Sequence, residues 1–427
     1  MTHHNQSALR GLINELLNGD EELPRGEAMR RLLETSLQEL IEAEVTARIG
    51  AGRYERSTDR VTRRNGARPK QLATPAGTLE LTIPKLREGS FFPSLLEPRR
   101  RIDQALWSVI AQAWIGGVST RRVDALIKAL GNETGISRST VSRICAEIDE
   151  YVSVFLARRL DDNDAWYPYL WLDATYLDVR INGRVVSQAV VVATGCSVNG
   201  HREVLGMAIG DAETTDFWTS FLRSLRERGL KVATPADPLG VTVVVSDAHE
   251  GLKNAIKAIL PGAAWQRCRV HFARNVTRAL GAARSKPVNA LIGTIYAQTT
   301  PEAVHACYKH VTDNLIQAGF TDIADMLDRA HPDLTAFADM PTDHWRKLWS
   351  NNPIERLNRE IKRRSDVVQI FPDRGSVTRL VGAILLEQHE EWHYGERRYL
   401  SETSMRRLID TLHEHTDTPV NRLPLTA

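Results

Sequence analysis

Residues 169–209 read as three strands in immediate succession, and no other part of the chain limits its fold as much. Tyr169 to Ile181, Val185 to Cys196 and Glu203 to Ile209 are rich in β-branched and aromatic residues, and the polar turns Asn182-Gly183 and Asn199-Gly200 separate them. Asn-Gly between apolar runs marks a hairpin, because both central residues of the tight turn need positive φ. A helix follows with Phe217, Trp218, Phe221, Leu222 and Leu225 on one face, then the apolar strand Val241 to Val245, then a helix from Glu250 to Leu260.

This β-β-β-α-β-α order predicts an α/β fold built on a mixed sheet. Ribonuclease-H-like catalytic cores share the order, although fold analogy alone does not fix a function. The pattern assigns residues 166–278 and 341–395 to that core. Between them, residues 279–340 show helical periodicity without strand signals and read as an all-α insertion. A breaker, Phe371-Pro372-Asp373, separates the helix near residue 355 from a later one over Thr378 to Trp392, and residues 396–427 form a C-terminal helical tail.

The length of 427 residues predicts two or three domains, so further units are expected ahead of this core. Residues 1–100 read as an N-terminal helical and arm region. Between Ala28 and Ile49 the residues Leu32, Leu33, Leu37, Leu40, Ile41 and Val45 recur at helical spacing, a face for dimerisation or for packing on its own domain. Residues 51–70 are Gly- and Arg-rich and read as an arm along DNA or a flexible linker, before a short strand over residues 78–84. Residues 101–160 read as a helix-turn-helix or a plain helical hairpin. On the first reading Arg138, Ser139 and Arg143 of its second helix reach phosphates and base edges.

Composition narrows the class. Apolar residues at 42% and charged residues at 25% exclude a largely disordered or fibrous chain. With a net charge of only +2, the distribution of charge carries the information. Arg53, Arg56, Arg60, Arg63, Arg64, Arg68 and Lys70 crowd one stretch and Arg356, Arg359, Lys362, Arg363 and Arg364 another, each suited to phosphate contacts or to a solvated face. Four well-separated cysteines form neither a disulfide framework nor a four-cysteine zinc site, so a reducing cytoplasm is the expected location. No apolar run is long enough to span a bilayer, so no membrane partner is expected.

Three carboxylates stand out. Asp173 interrupts the apolar strand Trp171-Leu172-Asp173-Ala174, where an unpaired ionised group is costly. Asp178, at an odd offset, points to the opposite face. Asp247 ends the run Val243-Val244-Val245-Ser246 where a strand hands over to a helix, a position suited to a ligand or to an N-cap. His249 and Glu250 are placed to join that site or to cap the helix. In Asn351-Asn352-Pro353-Ile354-Glu355-Arg356-Leu357-Asn358-Arg359-Glu360-Ile361-Lys362, helical periodicity puts Glu355, Asn358, Arg359 and Lys362 on one face and turns Glu360 away. Carboxylates gathered from distant segments suit phosphodiester chemistry, in which two Mg²⁺ or Mn²⁺ ions about 3.5–4 Å apart serve the attacking and leaving oxygens.

Four blocks resemble the signatures of Mutator-type (MULE-like) bacterial insertion-sequence transposases. They are Leu172-Asp173-Ala174, Ser246-Asp247-Ala248-His249-Glu250-Gly251-Leu252, Gln266-Arg267-Cys268-Arg269-Val270-His271, and Asn352-Pro353-Ile354-Glu355-Arg356-Leu357-Asn358 with Lys362-Arg363-Arg364. The resemblance implies a DDE catalytic and metal-binding triad of Asp173, Asp247 and Glu355, with a helical insertion between the second and third members. It implies action on terminal inverted repeats and target DNA by a homodimer or larger assembly, with Arg356, Arg359, Lys362 and Arg363 near the backbone. His249, Asn358 and the Cys268-x-x-His271 pair would stand beside the acids, the pair being too few soft ligands for a closed zinc site.

No GxSxG elbow, HExxH helix or phosphate-binding P-loop is present, so no nucleotide cofactor is expected. A DNA-binding regulator would use the basic stretches but leave Asp173 and Asp247 unexplained. A nuclease that cuts without joining would use the same acids.

Overall fold

A computed structural model describes residues 25–52, 60–74, 77–88, 138–234, 237–395 and 397–417, with a few isolated positions between them. It divides into two compact units, residues 1–100 with 390–397 and residues 101–389 with 398–427.

In the first unit, helix α1 (Arg25–Ile49) lies on a two-stranded antiparallel ribbon, β1 (Arg64–Thr74) and β2 (Gly77–Leu86). Strand alternation turns Leu79, Leu81 and Ile83 toward the helix, where they bury Ile41. Two polar ties reinforce the apolar contact. Gln38 donates to Thr82 O and accepts from Thr82 N at 2.9 and 2.8 Å, and Arg64 binds Glu42 and Thr46 at 3.0 and 2.9 Å. The expected arm or linker across residues 51–70 is therefore corrected over part of its length, since Arg64 to Lys70 pair as a strand. Backbone pairing and the Arg64 ties supply the order that a shortage of apolar residues had argued against.

Helix α2 (Arg138–Ala157) opens the main part of the second unit, burying Val141, Cys145, Ile148, Val152 and Phe155. Residues 111–137, where the first helix of the expected helix-turn-helix falls, lie outside the described residues.

Strands β3 (Tyr169–Ile181), β4 (Arg184–Cys196) and β5 (Arg202–Gly210) then run antiparallel in sequence. The turn between β3 and β4 holds Asn182 and Gly183 at φ 49° and 78°, the left-handed pair such a hairpin requires. Helix α3 (Thr215–Glu227), strand β6 (Val243–Ser246), helix α4 (Glu250–Ile259) and strand β7 (Ala264–Arg267) follow. The main sheet has the order β5-β4-β3-β6-β7, with β6 and β7 parallel to β3. The short strand β8 (Ile370–Phe371) also pairs with β3, at Asp178 and Val179. The sequence reading contains neither β7 nor β8, which are too short to show periodicity.

Alternation divides β3 between two faces. Leu170 and Leu172 join Trp218, Phe221, Leu222 and Leu225 of α3 and Leu252, Ala255 and Ile256 of α4 in one core. On the other face, α10 (Asn352–Val368) packs against β3. Between β7 and α10 the described chain is helical: α5 (Arg269–Gly293, interrupted at Gly281), α6 (Pro301–Gln317), α7 (Thr321–Arg329), α8 (His331–Thr335) and α9 (Thr342–Leu348). Helices α11 (Arg374–His393) and α12 (Glu402–Asp417) complete the chain. Among the described residues, no helix is long and apolar enough to cross a membrane.

Candidate active site

Sheet register sets the first two acids side by side. Parallel pairing aligns Val245 with Trp171, so two residues further on Asp247 comes level with Asp173, just where β6 ends and leaves that edge of β3 open. The end of β6 is pinned at this point. Buried Ser246 Oγ accepts from Trp265 Nε1 at 2.7 Å and donates to Asp247 O at 2.9 Å. Gly251 lets α4 start close by, since a Cβ there would stand 2.8 Å from Glu213 O and 2.9 Å from Thr215 N.

The third acid arrives on α10. Asn351, fully buried at the N-cap position, donates its amide to Leu172 O at 3.0 Å, and its backbone N–H reaches Cys268 Sγ at 3.3 Å. Two turns along the helix, Asn358 donates to Asp173 Oδ2 at 2.8 Å. These bonds bracket Glu355, one turn before Asn358, and turn it toward the same edge of β3.

The three acids lie within electrostatic range of one another. The Asp173 carboxyl is held up at about 7 by its burial first, then by the negative charges of Asp247 and Glu355, against the lowering effect of the Ala174 N–H and the Asn358 amide. Glu355 Oε1 is shielded from solvent and accepts no hydrogen bond among the described residues, and Arg274 Nη2 stands 3.5 Å away. An all-oxygen cluster with an unsatisfied carboxylate oxygen is a donor set suited to a hard divalent cation.

The companions of the acids have different placements. Burial holds His271 below its usual range, helped by the charge of Arg274 and opposed by those of Asp247 and Glu355. Cys268 occupies the N-cap position of α5 beside Asn351, and burial pushes its thiol up. His249 occupies the N-cap position of α4 without making a side-chain cap, and its Nδ1 is buried without a partner. Glu250 is exposed in the first turn of α4, and Asp178 is exposed on the other face of β3. Tyr176, also on that face, donates to Glu213 at 2.9 Å.

Of the basic residues, Arg356, Arg359 and Lys362 are exposed along α10. Arg363 is engaged with Glu360 at 2.7 Å, and Arg143 of α2 stands 3.9 Å from Glu147. The side chains of Arg138 and Ser139 lie outside the described residues. The sequence reading does not single out Asn351 or Arg274. Asn351 carries a signal, an Asn just before a Pro-led helix, whereas Arg274 is one of several arginines on α5.

Comparison with known proteins identifies the family of the chain. The profile described as "Transposase, Mutator family" matches residues 7–395. The chain is 47% identical over 394 residues to the transposase for insertion sequence element IS1081 of Mycobacterium tuberculosis, covering 91% of this chain and 90% of that protein. It is 36% identical over 400 residues to the transposase for IS406 of Burkholderia multivorans, covering 92% and 96%. It is 34% identical over 378 residues to the transposase for IS256 in transposon Tn4001 of Staphylococcus aureus, covering 88% and 94%. With a match of this length along the chain, and relatives covered almost end to end, the chain belongs to the Mutator family of transposases.

Proposed function

We propose that this chain is an insertion-sequence transposase whose DDE triad is Asp173, Asp247 and Glu355, set in a ribonuclease-H-like core. The single observation that carries the reading is the approach of three carboxylates from β3, the end of β6 and α10, where burial first and then the charges of Asp247 and Glu355 hold the Asp173 carboxyl at about 7. The sheet order, with the antiparallel strands on one side of β3 and the parallel ones on the other, supports the core assignment.

The acids would hold two Mg²⁺ or Mn²⁺ ions, which when bound polarise the scissile phosphate and stabilise the leaving oxygen. The chain itself positions. Asn358 fixes the Asp173 carboxylate, Asn351 fixes the start of α10, and Arg356, Arg359 and Lys362 offer charge to the DNA backbone next to Glu355. The substrates are the element's terminal inverted repeats and the target. In the first reaction water adds to phosphorus and a 3′-hydroxyl leaves. In the second that hydroxyl attacks a target phosphodiester and a target 3′-hydroxyl leaves, so bond number is conserved and no nucleotide is consumed. Two ends must meet, which calls for at least a homodimer. Action on the bacterial chromosome implies a cytoplasmic, nucleoid-associated protein.

The test uses labelled duplex carrying the element's ends, with Mg²⁺ or Mn²⁺. Cleavage and joining by the intact chain, lost in Asp173→Ala, Asp247→Ala and Glu355→Ala while DNA binding persists, is the expected result. Unchanged activity in all three variants would refute the triad, and hydrolysed ends without joined product would leave a nuclease.

A further inference from the structure

Arg274 lies on α5, one turn beyond His271, with its side chain 58% exposed, while the Glu355 side chain beside it is only 24% exposed. The guanidinium thus reaches in from solvent to a carboxylate that is mostly covered. At 3.5 Å the pair is within Coulombic range, yet Glu355 Oε1 receives no hydrogen bond from it or from any other donor. A bidentate Arg–carboxylate fork would be hard to displace. This contact has no such geometry. His271 feels Asp247, Arg274 and Glu355 together, so the cation and the acids share one neighbourhood.

We propose that Arg274 is a counter-ion latch: its guanidinium stands beside Glu355 where a divalent cation would bind, and moves to a DNA phosphate when that cation arrives. This rests on the reading of Glu355 as a cation ligand. Three carboxylates without a cation repel one another, and Arg274 offsets part of that repulsion. A divalent ion on Glu355 leaves Arg274 facing a like charge, which it relieves by turning its long, exposed side chain to an anion. The DNA backbone supplies that anion. Cation and DNA therefore load cooperatively, and by linkage each raises the affinity of the other. Arg274 is a positioning residue in this scheme, acting through Glu355 and the phosphate.

The experiment titrates the full chain with Mn²⁺ alone and then measures its binding to a duplex pre-cleaved at the element's end, in Mn²⁺ and in EDTA, across a salt series. Without DNA, Arg274→Ala binds Mn²⁺ about two- to fivefold more tightly than wild type, the scale of a half-exposed ion pair. Arg274→Lys stays near wild type. In wild type, the slope of log affinity against log salt is steeper by about one in Mn²⁺ than in EDTA, one extra phosphate contact, and Arg274→Ala lacks this difference. Equal or weaker Mn²⁺ binding by Arg274→Ala would overturn the latch. Glu355→Ala separates the two readings: if it weakens Mn²⁺ binding, a failed latch leaves the triad standing. If Glu355→Ala and Asp173→Ala both bind Mn²⁺ like wild type, the cation reading fails and takes the latch with it.

Discussion

Asp173→Asn should stabilise the cation-free protein, by an amount that depends on pH. The Asp173 carboxyl is raised from 3.8 to about 7, by burial and by the charges of Asp247 and Glu355. Between those two values the native state holds a proton that the unfolded state has released, so stability falls as pH rises. The penalty is absent below about pH 4 and complete above about pH 7. At 1.36 kcal/mol per unit, a shift of about three units amounts to about 4 kcal/mol. Asn keeps an oxygen to accept from Asn358 and carries no charge, so it escapes the penalty. In EDTA, the advantage of the variant over wild type should grow by about 2 kcal/mol from pH 5.5 to pH 8.5, read from urea unfolding followed by tryptophan fluorescence. Buried Trp171, Trp218, Trp265 and Trp345 report on the unit that contains the site. An advantage that does not change with pH, or a variant less stable than wild type at pH 8.5, would refute the claim that burial and the neighbouring charges hold the Asp173 carboxyl up.

Asn358→Ala removes the amide that lowers the Asp173 carboxyl, so the pH at which cleavage reaches half its maximal rate should move upward, seen in a pH–rate profile. Asn351→Ala leaves the buried Leu172 carbonyl without its donor and should cost about 1–3 kcal/mol in urea unfolding, and Asn351→Asp, which cannot donate, should not restore it. Cys145, Cys196 and Cys268 are buried, and burial pushes the last two thiols up. Mass-spectrometric mapping after brief native alkylation should therefore find Cys307 modified well before the other three.

Much of this architecture was legible because it is local. Asn182-Gly183 marks its own turn, the α3 stripe has a clear 3.6-residue period, and Asp173 and Asp247 are conspicuous among apolar strand neighbours. Strands β7 and β8 were not legible. At four and two residues they carry no period, and they exist because β6 and β3 offer them edges. Strand β1 of the first unit escaped for a similar reason, whereas the alternation of β2 was legible. Arg64 to Thr74 has few apolar residues, and the order there comes from pairing with β2 and from Glu42 and Thr46 of α1. In the candidate site, residue type singled out the acids as candidates, but the contacts of Asn351 and Arg274 depend on partners far away in sequence. The Asn358–Asp173 bond spans 185 positions, and no periodicity reports that.

The helical segment between Asp247 and Glu355 raises a physical question, since a long excursion must return the third acid to within reach of the first two. The structure answers it at residues 266–269. Gln266 Oε1 accepts from Phe337 N at 2.8 Å, and its amide donates to Leu334 O at 3.2 Å, so β7 holds α8 and the turn after it. Arg269 N donates to Trp349 O at 2.9 Å, and its guanidinium lies 4.6 Å from the Trp349 ring and 5.1 Å from that of Tyr296. Cys268 Sγ receives Asn351 N across 83 positions. Three residues at the departure of the excursion thus grip its return. Closing a longer loop costs only slightly more entropy, about 0.6 kcal/mol per doubling, so the helices between can vary in length while these contacts hold the ends. The block Gln266-Arg267-Cys268-Arg269-Val270-His271 is then a clasp that sets where α10 begins. The buried, weakly acidic thiol of Cys268 fits that structural part. His271, one turn further, stands in the electrostatic field of Asp247 and Glu355, so the clasp and the acids occupy one neighbourhood.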